Sequence, residues 1–116
     1  MLVEDIQKIC KKLPHTTEEI KWETHLCYCI GGKMYMVVNP DGNPVTASFK
    51  ASDEDFAELP ERDGFIPAPY MARHKWIYVD TINRLSKKQW EEYLKKAYAI
   101  VAAKLPAKTR KTLGIK

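Results

Sequence analysis

Ile20-Lys21-Trp22-Glu23-Thr24-His25-Leu26-Cys27-Tyr28-Cys29-Ile30-Gly31-Gly32, followed by Lys33 to Val38, is the stretch that decides the fold class. Ile20, Trp22, Thr24, Leu26, Tyr28 and Ile30 alternate with Lys21, Glu23, His25, Cys27 and Cys29. Side chains two apart on an extended chain share a face, so this reads as one long strand, bulged near its start. Gly31-Gly32 accepts the positive φ angles of a type I′ turn, and Lys33 to Val38 returns as the second strand. Asn39-Pro40-Asp41-Gly42-Asn43-Pro44 is a denser turn signal. After it Val45, Ala47 and Phe49 alternate with Thr46, Ser48 and Lys50, which completes an antiparallel meander.

Upstream, Val3, Ile6, Ile9, Cys10 and Leu13 fall on one face of a helix that Pro14 stops. Downstream, Ser52 or Asp53 caps a short helix carrying Phe56 and Leu59, closed by Pro60. Gly64 to Arg73 reads as an irregular crossing and Lys75 to Asp80 as a fourth strand. Ser86 and Gln89 form a capping box for a helix with Trp90, Tyr93, Leu94, Ala97, Val101 and Leu105 on one face. Pro106 opens a last short helix that Gly114 ends. The order α-β-β-β-α-β-α-α predicts an α+β domain: an antiparallel sheet of about four strands with helices packed on one face. With 116 residues the chain is expected to be a single domain over 1–116. That length is too short for a TIM barrel, or for a dinucleotide-binding domain joined to a substrate domain.

The net charge of +4 conceals a division. Residues 1–60 carry six Lys and ten Asp/Glu (−4), whereas residues 61–116 carry thirteen Lys/Arg and five Asp/Glu (+8). A basic half of this kind suits a polyanionic partner, although solvated basic faces are common in cytosolic proteins. No apolar run approaches the roughly 20 residues of a membrane helix. The acids Glu4 and Asp5 stand where a signal peptide wants positive charge, so a cytoplasmic location without membrane association is expected. Cys10, Cys27 and Cys29 are odd in number and fit buried thiols in a reducing compartment.

Catalytic motifs are absent from the sequence: it has no Gly-x-Ser-x-Gly, no His-Glu-x-x-His and no phosphate-cradling glycine loop. No spacing selects a thiol–histidine pair from His15, His25 or His74. Cys27, Cys29 and His25 share a strand face but lack a fourth metal ligand. Glu18, Glu19 and Glu23 read as solvated edge charges that deter strand pairing. No enzyme activity, metal or cofactor is implied. The densest unusual feature is Pro67-Ala68-Pro69-Tyr70-Met71-Ala72-Arg73-His74-Lys75-Trp76. Three consecutive cationic or protonatable side chains between two aromatics suit phosphate contact with stacking. The plainer reading is a loop entering a strand, with Trp76 in the core. A second basic group, Lys104, Lys108, Arg110 and Lys111, also suits helix ends through the macrodipole.

Leu13-Pro14, Glu18-Glu19, Gly31-Gly32-Lys33-Met34, Ser48-Phe49-Lys50, Pro67-Ala68-Pro69-Tyr70-Met71, His74-Lys75-Trp76 and Ala97-Tyr98 before Lys104-Leu105-Pro106 resemble, in order, the MmcQ/YjbR family. The resemblance spans nearly the whole chain. It implies a fold similar to bacterial frataxin (CyaY-like), and the family is described as a DNA-binding group with a double-wing arrangement of hairpins. Many members carry His immediately before the Trp, where this chain has Lys75 and places His74 one residue earlier. The wings correspond to the hairpins at Gly31-Gly32-Lys33 and Asn39 to Pro44, whose one full positive charge is Lys33. The iron binding of frataxins is disfavoured, because Glu4 and Asp5 on the first helix are opposed by Lys8, Lys11 and Lys12. The expectation is therefore a non-enzymatic binder of double-stranded DNA. Arg73, Lys75, Lys108, Arg110, Lys111 and Lys33 would contact phosphates, and His74 and Tyr70 would assist. The alternative is a small-ligand or protein-interaction module with a pocket at Trp22, Tyr70 and Trp76.

Overall fold

The alternation from Ile20 to Ile30 is carried by two strands, not one. In the computed structural model, which describes residues 1–69 and 71–115, β1 (Thr16–Lys21) and β2 (His25–Ile30) pair as a hairpin around Trp22, Glu23 and Thr24. Lys21 lies opposite His25 and Ile20 opposite Leu26. A loop of odd length keeps paired residues at the same parity, so the apolar alternation runs through the turn without a break. Trp22 and Glu23 take φ angles of 51° and 70°, left-handed values that neither residue type advertises.

The chain continues as β3 (Lys33–Asn39), β4 (Thr46–Lys50), β5 (Phe65–Pro67) and β6 (Trp76–Val79). The helices are α1 (Val3–Lys11), α2 (Asp53–Glu58), α3 (Lys87–Ala103) and α4 (Ala107–Leu113). The sheet therefore has six strands where about four were expected, in the order β1-β2-β3-β4-β6-β5, with every pairing antiparallel. The two additions are the hidden hairpin strand β1 and the three-residue β5 inside the supposedly irregular crossing. Gly31 and Gly32 take the positive φ angles, 58° and 79°, that the two-residue turn between β2 and β3 demands. Beyond it the β2–β3 register shifts at Tyr28/Cys29, and Tyr35 enters the main core as the extra residue of a bulge.

Helices cover one face. Ile6, Ile9 and Cys10 of α1 and Trp90, Leu94 and Ala97 of α3 pack with Tyr28, Ile30, Met36, Val38, Phe49, Ile77 and Val79 of the sheet. Trp90 Nε1 donates to the Ile82 carbonyl at 2.9 Å, so its one polar atom is satisfied inside the core. Ser86 accepts from the Gln89 amide at 3.2 Å, and the Gln89 side chain accepts from the Ser86 amide at 2.9 Å, which fixes the start of α3. The opposite face holds a smaller cluster, Cys27, Cys29, Val37, Ala68 and Trp76, to which no helix contributes a buried residue. α1 reaches β1 through Gln7 and Lys11 at Glu18, but the far end of the strand is uncovered: Ile20, and Trp22 in the turn after it, are 69% and 63% exposed. Among the described residues no helix is long and apolar enough to cross a membrane.

Candidate functional site

Lys50 is the last residue of β4, and strand alternation places it on the face away from α1 and α3, because Ala47 and Phe49 belong to the main core. On a bare sheet face it would be solvated. It is instead 9% exposed, because the segment after β5 returns across this end of the sheet. Two main-chain bonds hold that segment: Ala68 N–H to the Trp76 carbonyl and Ala51 N–H to the Lys75 carbonyl, both 2.9 Å. The Lys50 ammonium donates to the His74 carbonyl.

Two clefts meet at Lys50. One, of about 290 Å³, has Met34, Met71, Trp76 and Val101 as apolar lining and Lys33, Lys50, His74 and Lys104 as polar lining. The other, of about 280 Å³, runs between Lys50, Lys75, Lys104 and Asp53. Lys33 and Lys104 are distant in sequence. They reach one cleft because Gly31, lacking a Cβ, lets Leu105 and Thr109 pack on the β2–β3 turn, an approach that an added Cβ would close to 2.9–3.0 Å.

Lys33, Lys50 and Lys104 have no carboxylate within 4.0 Å among the described residues. Lys75 is partly neutralised by Asp53 at 3.9 Å, and its ammonium lies 5.3 Å from the Phe56 ring centroid. Burial, then the Lys104 charge, pull the Lys50 ammonium below the ordinary lysine range; Lys75 adds to this and Asp53 opposes it. The C-terminus of α3, whose cap is Lys104, supplies a partial negative charge that offsets some of the crowding.

The residues expected from the sequence divide among several places. Lys33, His74 and Lys75 line the clefts, and Trp76, 5% exposed, walls one of them. Arg73 is exposed in the 3-10 turn Ala72–His74. Lys108 and Lys111 are exposed on α4, whereas Arg110 is half-buried and its Nε has no acceptor among the described residues. Tyr70 lies outside the described residues. Trp22 sits at the β1–β2 turn against His25, with ring centroids 5.8 Å apart. Three to four strand spacings, roughly 14–19 Å, separate the β1–β2 turn that carries it from the strand of Trp76, so the structure does not bring these two aromatics together. Lys50 and Lys104 enter the site unforeseen as partners. Their only sequence signals are a lysine closing an alternating strand and another closing a helix.

Other features offer less chemistry. A cleft of about 350 Å³ between α1 and α3 mixes Lys12, Lys88 and Lys95 with Glu91 and Glu92, so its charges nearly cancel. Cys29 donates to Glu19 Oε2 at 3.3 Å, and burial, reinforced by that carboxylate, pushes the thiol up to about 12, which keeps it a poor nucleophile at neutral pH. Among the described residues no three His, Cys, Asp or Glu side chains gather as metal ligands would.

Comparison with known proteins gives one family match and two informative folds. The family model described as YjbR matches residues 11–100. The crystal structure of Deinococcus radiodurans protein DR2400, with the domain named DUF419, aligns with a TM-score of 0.86 over 99% of this chain and 89% of that one, at 24% identity. A Pseudomonas syringae protein solved by structural genomics aligns at 0.70 over 87% of this chain and 99% of that one, at 18% identity. Both likenesses establish shared fold alone. No curated protein matches the chain.

Proposed function

The chain belongs to the YjbR family, and from that premise we propose that it is a non-enzymatic module that grips the phosphate backbone of double-stranded DNA. The observation that carries the reading is the convergence of Lys33, Lys50 and Lys104, from three separate elements and without carboxylate partners among the described residues, on one cleft beside His74 and Lys75. Uncompensated ammonium groups held close together repel one another, and an entering phosphate relieves that repulsion. Arg73, next to His74, and Lys108 and Lys111, on the helix following Lys104, add exposed cations on segments that lead from the cleft.

Fluorescence anisotropy with a labelled duplex tests this. Affinity should fall steeply with salt, and Lys33→Gln and Lys104→Gln should each reduce the log–log slope by about 0.9. Absence of duplex binding at low salt would overturn it. A second reading, a small-ligand module, is favoured by the concavity and apolar wall of Met34, Met71, Trp76 and Val101. It predicts saturable binding of a small organic anion that a duplex does not displace.

A further inference from the structure

Lys50 differs in kind from the other lysines of this site. It is the one charged residue that is buried among the described residues. Lys104 lines both clefts with it and Lys75 lines one of them, no carboxylate of the described residues lies within 4.0 Å of the Lys50 ammonium, and Met34 and Trp76 wall the adjoining space. A lysine desolvated beside other cations carries more free amine at neutral pH than a solvated one, and the free amine is the nucleophile. The bond to the His74 carbonyl uses an N–H, which the neutral amine also possesses, so it steadies Nζ without consuming the lone pair. A cleft of about 290 Å³ accommodates a small molecule, and Lys33 and Lys104 provide cations for an anionic group on it.

We propose that Lys50 is a carbonyl-reactive amine, and that this cleft takes a small anionic aldehyde or α-keto acid which Lys50 binds as a Schiff base. The Nζ lone pair attacks the carbonyl carbon, the π electrons move to oxygen, and a proton passes from nitrogen to oxygen to give a carbinolamine. Expulsion of water forms the carbon–nitrogen double bond. The net change is amine plus carbonyl to imine plus water, with nothing oxidised or reduced. The proposal does not depend on duplex binding, which is read separately by anisotropy.

The full chain is incubated near neutral pH with glyoxylate or, in a parallel arm, pyridoxal 5′-phosphate. Borohydride then fixes any imine as a stable secondary amine, and peptide mass mapping locates it. Lys50 should be labelled at least about tenfold faster than Lys33, Lys104, Lys108 or Lys111 in one or both arms, the responding arm identifying a carboxylate or a phosphate as the preferred anion. Lys50→Arg keeps the cation and an N–H for the His74 carbonyl, and it should reduce the total adduct to the level of the surface lysines. Labelling ordered by solvent exposure, with Lys50 slowest, would overturn the proposal. So would a Lys50→Arg protein that forms as much adduct as the parent, and the mapping of the unaltered chain is decisive even should the variant not fold.

Discussion

Gly31 and Gly32 are adjacent, both take positive φ, and their replacement by alanine should have unequal consequences. At Gly32, φ is +79° and an added Cβ meets nothing within 4 Å, so Gly32→Ala carries only the left-handed backbone penalty of about 1–2 kcal/mol. At Gly31, φ is +58° and the added Cβ would lie 2.9 Å from both terminal carbons of Leu105 and 3.0 Å from Thr109 Cγ2. Ordinary carbon contacts are about 3.5–4.0 Å. Overpacking of this sort costs about 1–3 kcal/mol, softened because the clashing atoms are the ends of side chains. Gly31→Ala should therefore destabilise by about 2–4 kcal/mol in urea unfolding, roughly 1–2 kcal/mol more than its neighbour. Leu105→Ala supplies the matching test. Leu105 is 5% exposed, so its truncation alone should cost about 2–5 kcal/mol, but in the Gly31→Ala background it also removes the clash. The double-mutant cycle should show a favourable coupling of about 1 kcal/mol or more. The same packing sets Lys33 beside Lys104, so Gly31→Ala should weaken duplex binding more than Gly32→Ala does. Equal losses of stability for the two glycine variants, with no coupling to Leu105, would refute the claim that this turn seats the chain that follows α3.

Two further outcomes test the polar interior. The Tyr28 hydroxyl, donating to Glu18 at 2.8 Å, is the main cause holding that carboxyl below its usual range, with further bonds from Gln7 at 3.1 Å and the Lys11 charge. A carboxyl with a depressed folded pKa adds stability above its unfolded value of about 4.3, and that stability is lost as pH falls through the lower folded value. Tyr28→Phe should accordingly cost about 1–2 kcal/mol at neutral pH and flatten the acid limb of the stability curve; an unchanged acid limb would count against the assignment. Burial pushes the Cys10 and Cys29 thiols up to about 12, and Cys27 is raised as well. An aromatic disulfide reagent should therefore leave all three unmodified in the native protein and titrate three in denaturant. Rapid native labelling of any of them would contradict their burial.

The parts of the fold that were legible in the chain are those settled by neighbours in sequence. Gly31-Gly32 needs only its own φ angles, Ser86 and Gln89 cap α3 within one turn, and Gly114 closes α4 with a φ of 76°. The apolar stripe of α3 and the alternation of β4 likewise declare their faces locally, which is enough to establish an α+β domain. The hairpin at Trp22 escaped for a reason of parity. Its three-residue loop preserves the alternation, and none of the usual turn residues marks it. β5 escaped because three residues, one of them Pro67, are too few for a periodic signal. The site divides in the same way. The chain itself determined which residues are cationic, that most lie in the second half, and that Lys50 points away from the helical core. Only the tertiary structure decided that Lys50 is buried, because its cover comes from Ala68 and residues 71–76, whose bonds to Ala51 and around Trp76 close over it. Burial is a property of what lies across a face, and no periodicity within one strand encodes the path of another segment.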